Sequence, residues 1–272
     1  MKRLVIIISA VGGILLIAVV ALGIRAKVNS INKTQNGPSS TSLVAEAKEL
    51  EEKNELLAAK DIYQRLVNEF PGSSDVMNWQ KKAEDINIKL LLSSEITPKS
   101  QLYTIKPGDS LAKIAAEFKT TTDLIKKCNN LSSDTIIPGR KIKVRNAPFT
   151  IVVDKSQNIL FLKSGEEVVK TYIVATGKNN STPVGTFKIV DKIPNPPWFK
   201  PGVAQPIPAG SPENILGTRW LALSVPSYGI HGTTEPQSLG RQVTQGCVRM
   251  ANQDVEELYT IVPKGTEVTI VD

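Results

Sequence analysis

The chain has 272 residues, room for about two ordinary domains or more if some are small, and carries 33 Lys and Arg against 26 Asp and Glu, for a net charge of +7. No run of five or six like charges occurs and aromatic residues are only 5%, so nucleic acid is not an expected partner, and the basic surface suits either an anionic polymer or ordinary solvated lysines. One histidine and two cysteines cannot fill a four-ligand structural zinc site, and no phosphate-binding glycine loop is present, so neither a metal nor another cofactor is expected.

Residues 4–24 are 21 consecutive uncharged, mostly apolar residues, flanked by Lys2, Arg3, Arg25 and Lys27. At ~1.5 Å per residue such a helix spans a bilayer core of ~30 Å. A signal-peptide core is usually shorter, about 7–15 residues, although Ala21-Leu22-Gly23 offers a small-x-small cleavage site. Residues 1–27 therefore read as a transmembrane anchor or a signal peptide. The flanking charges nearly balance and do not fix orientation.

Residues 28–42 are polar with no apolar period, and read as a flexible linker. A helical period then runs over 43–95. Leu43, Ala47 and Leu50 mark one helix, and Ala59, Ile62, Tyr63, Leu66 and Phe70 a second, with Asn54 between them. Pro71-Gly72 ends the second helix, and Ser73-Ser74-Asp75 can cap a third that carries Val76, Trp79, Ala83, Ile86 and Leu90 on one face.

After a short linker at 96–101, a strand at Tyr103 leads into the turn Gly108-Asp109-Ser110, and a helix follows through Ile114, Ala115 and Phe118. A second helix covers 122–128, and a strand at 141–144 closes the unit. Cys128 lies four residues after Leu124, on the same helical face, and reads as a small core residue. Beyond it, 150–153, 159–162, 168–175, 186–190 and 268–271 are short β-rich runs, with no helical period before 252–258. The domain is thus mainly β. The proline-rich stretch 193–212 reads as a loop or lid.

Chemistry concentrates near the C-terminus. Cys247 lies in Thr244-Gln245-Gly246-Cys247-Val248-Arg249-Met250, sixteen positions after His231 in Gly229-Ile230-His231-Gly232-Thr233. A thiol needs a base to become a nucleophile at neutral pH, and His231 is the single imidazole in the chain. Gly246 permits close approach of a substrate carbonyl and frees the Cys247 N–H as an oxyanion donor. In an extended segment Arg249 shares the thiol's side, where it could hold a carboxylate.

These blocks, with Thr182-Pro183-Val184-Gly185-Thr186-Phe187, Asn195-Pro196-Pro197-Trp198 and Leu216-Gly217-Thr218-Arg219-Trp220-Leu221 upstream, resemble the YkuD-type catalytic domain of L,D-transpeptidases over residues 148–272. The resemblance implies attack on the amide between the third and fourth residues of a peptidoglycan stem, release of D-alanine, and transfer of the acyl group from a cysteine thioester to an amine. It implies Cys247 as nucleophile, His231 as base oriented by the Gly232 carbonyl, and Gly246 and Cys247 as oxyanion donors. Arg249 is implied to bind a substrate carboxylate or to hold the loop by an ion pair, with Thr244 and Gln245 beside the substrate. One departure stands out: the family often has Ser-His-Gly-Cys where this chain has Thr244-Gln245-Gly246-Cys247.

The strand-helix-helix-strand segment over 102–145 resembles a LysM module. That implies binding of N-acetylglucosamine-containing glycan by Gly108, Asp109, Ser110, Ile137 and Pro138. The spacing of Ala59, Tyr63, Leu66 and Pro71 resembles one tetratricopeptide repeat; about three repeats are needed to bury a continuous core, so the segment either pairs with a protein partner or is a spacer. The expected fold is multidomain: an N-terminal transmembrane helix, a short all-α segment, a small α+β LysM module (βααβ) and a mainly-β catalytic domain. Because the implied substrate lies outside the cytoplasmic membrane, residues 28–272 are expected to be extracytoplasmic on a single-pass anchor, or secreted after cleavage. Two other readings stay open: a catalytically silent wall-binding scaffold, and an L,D-carboxypeptidase with water as acceptor.

Overall fold

The computed structural model describes residues 37–272. The expected anchor or signal peptide at 1–27, and the linker as far as residue 36, lie outside the described residues. Among the described residues no helix is long and apolar enough to cross a membrane. They form two compact units, divided between Asn87 and Ile88.

The first unit is helical: α1 (Ser40–Glu52), α2 (Leu56–Glu69) and most of α3 (Val76–Leu92). The first helix starts inside the stretch expected as linker, because Ser39 caps it by accepting the Ser42 N–H at 3.1 Å. Asn54 adopts φ 58° between α1 and α2, a left-handed conformation that asparagine tolerates and that stops a helix. Leu43, Ala47, Leu56, Ala59, Tyr63 and Leu66 are buried as α1 packs on α2. On α3, Trp79, Ala83 and Ile86 are buried while Val76 is only half-buried.

The second unit begins with the last turns of α3 and continues into β1 (Ser100–Thr104), α4 (Leu111–Glu117), α5 (Thr122–Cys128) and β2 (Lys141–Arg145). β1 and β2 pair antiparallel from Ser100↔Arg145 to Thr104↔Lys141, so the strand starts within the expected 96–101 linker. Ser110 and Thr121 cap the two helices through their hydroxyls. Tyr103, Ile105, Leu111, Ile114, Ala115, Ile125, Ile142 and Val144 make the core of this module.

The remaining elements are β3 (Thr150–Asp154), β4 (Ile159–Ser164), β5 (Glu167–Gly177), β6 (Gly185–Pro194), β7 (Arg219–Leu223), β8 (Gly229–His231), β9 (Gln242–Thr244), β10 (Val248–Met250), α6 (Asn252–Ile261) and β11 (Glu267–Val271). Their sheet runs β10-β8-β7-β6-β11-β3-β4-β5-β9, and β10 also pairs with β5, so the strands close around the core.

The two parts of this unit are packed and bonded together. Leu124 of α5 and Ile88 and Leu91 of α3 belong to the same buried cluster as Ile151, Leu221, Leu258 and Ile261. The Thr121 hydroxyl donates to the Thr260 carbonyl at the end of α6. Lys99 Nζ meets Glu167 at 2.5 Å and the Ser164 carbonyl at 3.0 Å, and Arg145 donates to Ser164 Oγ at 2.7 Å. Buried Lys143 donates to the carbonyls of Leu90 and Ser93 at 2.8 and 2.9 Å, satisfying the C-terminal end of α3. Two modules that read as separable in sequence each keep a core of their own, and Leu124 and these polar contacts join them.

Candidate functional site

Three short strands assemble the site. On β7 and β8, Trp220 faces His231; on β8 and β10, which run parallel, Ile230 faces Val248 and His231 faces Arg249. Cys247, in the bend one residue before β10, sits against the start of β8: its thiol donates to the Ser227 carbonyl at 3.7 Å and meets the Gly229 amide, two residues before His231.

His231 is 3% exposed, and its Nδ1 lies 2.6 Å from the Gly232 carbonyl. A carbonyl only accepts, so Nδ1 carries the proton and Nε2 keeps its lone pair. Burial pushes the imidazole pKa down to about 4, against the Gly232 carbonyl, which favours the charged form; the charge of Arg249 lowers it further. The half-buried Cys247 thiol is pushed up by burial and pulled back by the Gly229 amide and the charge of Arg249. At neutral pH the resting pair is thus a neutral imidazole and a thiol, rather than an ion pair.

The turn before Cys247 differs from the expected oxyanion arrangement. The Gly246 N–H donates to Thr244 Oγ1 at 3.1 Å, and that hydroxyl donates to the Cys247 carbonyl at 2.7 Å. Gly246 is therefore not directed at an oxyanion, and Thr244 braces the turn instead of facing substrate. Gly246 has φ +136°, and a Cβ there would sit 2.6 Å from Tyr228 Cε1 and 3.2 Å from the Ser181 carbonyl. Gln245 is exposed.

Arg249 is committed as well. It is 7% exposed, and its Nη1 donates to Glu235 at 2.7 Å and to Ser238 Oγ at 3.1 Å. Of the two roles open for it in sequence, the ion pair is formed through Nη1, which ties the 235–238 turn to β10, while its buried Nε has no hydrogen-bond partner. Sequence reading missed Glu235, whose pairing depends on a fold contact with no periodic signal. It also missed Asn252, whose Oδ1 accepts the N–H groups of Thr218 and Thr233 at 3.2 and 3.1 Å. That single oxygen clamps the two loops that flank His231, and a Cβ at Gly232 would stand 2.2 Å from it.

In the smaller module, Asp109 Oδ2 accepts from the Tyr103 hydroxyl and the Lys106 N–H, each at 2.8 Å. Those bonds hold its carboxyl below the usual range. Asp109 and Ser110 thus build the turn that was expected to contact glycan through them, and Gly108, at φ +86°, completes it. Ile137 is 64% exposed beside exposed Pro138. The two loops lie side by side, joined by Gly139 N–H to Ile105 carbonyl at 2.8 Å and Ile105 N–H to Arg140 carbonyl at 3.0 Å.

Cys128 is buried, and burial pushes its thiol up to about 11. Both cysteines are free. The 193–212 stretch carries the end of β6 and a bridge between Trp198 and Ile207, pinned by Asn214, which donates to the carbonyls of Pro196, Ile207 and Pro208. Among the described residues no group of three or more His, Cys, Asp and Glu could hold a metal ion.

Comparison with known proteins agrees with this architecture. A family model for the L,D-transpeptidase catalytic domain matches residues 148–270, and one for the LysM domain matches residues 103–145. The curated protein named L,D-transpeptidase YkuD of Bacillus licheniformis is 40% identical over 181 residues, covering 62% of this chain and 98% of that relative. Its namesake in Bacillus subtilis is 38% identical over 175 residues, covering 62% and 97%. Among solved structures, an L,D-transpeptidase from Mycobacterium smegmatis aligns with a TM-score of 0.40 at 17% identity, over 50% of this chain and 65% of that one. The chain belongs to the L,D-transpeptidase family: it is an enzyme of that class with a LysM domain ahead of its catalytic domain.

Proposed function

We propose that the protein is a peptidoglycan L,D-transpeptidase that works through a thioester on Cys247. The observation that supports this reading is the pairing of β8 with β10, which brings the Cys247 end of β10 beside the strand of His231, with Nδ1 held by Gly232 so that Nε2 keeps its lone pair. His231 takes the thiol proton as Sγ attacks the carbonyl of the third stem residue. The Cys247 N–H, lying at the nucleophile, donates to the oxyanion while the Gly246 N–H stays within the turn. The amide to D-alanine then breaks, and His231 returns its proton to the departing amine. An acceptor amine attacks the thioester, its proton passes to His231, and the cysteine sulfur leaves as the new amide forms.

The juxtaposed 105–110 and 137–140 loops, with Ile137 at their edge, are assigned to N-acetylglucosamine-containing glycan. Residues 4–24 are assigned to a membrane anchor, on their length and lack of charge, and the enzyme to the outside of the cytoplasmic membrane, on the location of its proposed substrate; the helical unit is assigned to a protein partner on its repeat-like spacing. The test is intact-protein mass spectrometry after mixing with a defined tetrapeptide stem. An adduct on Cys247 equal to the stem less D-alanine, absent in Cys247→Ala, is expected. Cross-linked dimeric product from two stems supports transfer to an amine; tripeptide alone would instead make water the acceptor.

A further inference from the structure

Trp220 stands directly across from His231 on the β7–β8 pair, and their rings stack with centroids 5.5 Å apart and planes inclined by 18°. Room for the indole comes from Gly229: a Cβ there would lie 2.6 Å from Trp220 Cζ2 and 2.8 Å from Cε2. Gly229 precedes His231 by two residues on the same strand, and its amide faces the Cys247 thiol. Nothing in the reading of the thiol and imidazole uses the tryptophan, yet it covers one face of the chain's single imidazole.

We infer that Trp220 is a positioning residue for the His231 base: its indole fixes the plane of the imidazole and keeps water off that face, so that Nε2 stays neutral and aimed along the strand toward Cys247. Two effects of the stack oppose each other. An aromatic face attracts an imidazolium, by about 0.5–2 kcal/mol for cation–π contacts. Covering the ring removes water from it, and that disfavours the charged form. Burial is the first cause of the low imidazole pKa here, so shielding wins, and removing the indole should make His231 more basic. The other groups around the ring do not replace this effect. The Gly232 carbonyl, and less strongly that of Leu216, favours protonation; Arg249 opposes it, while Glu235, 2.7 Å from Arg249, neutralises part of that charge; the Cys247 thiol lies near the same strand, against the Gly229 amide.

This inference deepens the acyl-transfer reading, but its test need not depend on activity. The chain has a single histidine, so one imidazole signal in an NMR pH titration belongs to His231 without assignment. Wild type, Trp220→Phe, Trp220→Ala and Gly229→Ala are titrated, with a thermal melt on each. The wild-type imidazole is expected to titrate well below the ordinary value of about 6.5, and Trp220→Phe to follow it closely. In Trp220→Ala and Gly229→Ala, which remove the stack by deletion and by displacement, it is expected to move up by at least about one pH unit, a tenfold change in proton affinity. The acid limb of the acylation rate should move with it. A folded Trp220→Ala or Gly229→Ala whose imidazole titrates with wild type would overturn the inference and leave the tryptophan a packing residue. Absence of any Cys247 adduct in wild type, with these shifts intact, would instead overturn the transpeptidase reading alone.

Discussion

Truncating Leu124 to alanine tests whether the LysM and catalytic domains fold as one body. Leu124 is on the LysM helix α5, yet it is 2% exposed within the cluster that holds Leu258 and Ile261 of α6. Deleting a buried leucine side chain beyond Cβ costs about 2–5 kcal/mol, from lost transfer energy and the cavity left behind. At about 2–4 °C per kcal/mol for a domain of 150–250 residues, the melting temperature should fall by roughly 4–20 °C. The decisive question is which part responds. The tryptophans are Trp79, Trp198 and Trp220, so fluorescence in a Trp79→Phe background reports the catalytic domain alone. Alkylation of buried Cys128 reports the LysM domain. Urea titration should give one midpoint for both probes in wild type, and both should fall together in Leu124→Ala. A catalytic-domain midpoint untouched by the substitution, or Cys128 becoming reactive well before the fluorescence changes, would refute the coupling through Leu124. The same reasoning predicts that a chain beginning near Asn146 is unstable, because it would expose the surface that Leu124, Ile88 and Leu91 cover.

Four further outcomes follow. A His231 pKa depressed to about 4 means the fold favours the neutral ring, so stability is complete above the ordinary value of about 6.5 and declines as pH falls toward 4. The loss totals about 3 kcal/mol, and the difference between wild-type and His231→Gln melting curves across that window should reveal it. Thr244→Val orphans the Gly246 N–H and Cys247 carbonyl, at about 1–3 kcal/mol per unsatisfied group; acylation should slow, and Thr244→Ser should restore it in a stopped mixing assay. Asn252→Ala releases the Thr218 and Thr233 amides that flank His231 and should lower the acylation rate, whereas Asn252→Asp, which keeps the acceptor, should recover most of it at neutral pH. Ile137→Asp should weaken co-sedimentation with insoluble peptidoglycan while leaving acylation by a soluble stem unchanged.

Which features were legible in the sequence depends on the length over which a pattern could accumulate. The helices over Leu43 to Leu90 and strands such as Glu167–Gly177 extend far enough for a period to show, and they stand within a few residues of where the periods put them. The strands that make the site do not: β8, β9 and β10 have three residues each, too few for any alternation, and only the flanking motif residues marked them. Arg249 and Thr244 carried donors and acceptors that suited a substrate equally well, and their commitment to Glu235 and to the Gly246–Cys247 turn is decided by tertiary contact. Leu124 read as one more apolar position on a short amphipathic helix, because the period shows that a face is buried but not what it is buried against. Trp220 lay in a recognisable motif, yet its stack on His231 depends on the β7–β8 register and on the missing Cβ of Gly229.

The central claim is that Cys247, served by His231, forms the covalent intermediate. Intact-protein and peptide mass spectrometry after brief reaction with a tetrapeptide stem tests it most directly. A stem-less-D-alanine adduct mapped to Cys247, slowed about 10²–10⁴-fold in His231→Ala as loss of a general base typically costs, is the predicted result. Turnover of the stem by Cys247→Ala at the wild-type rate would contradict it.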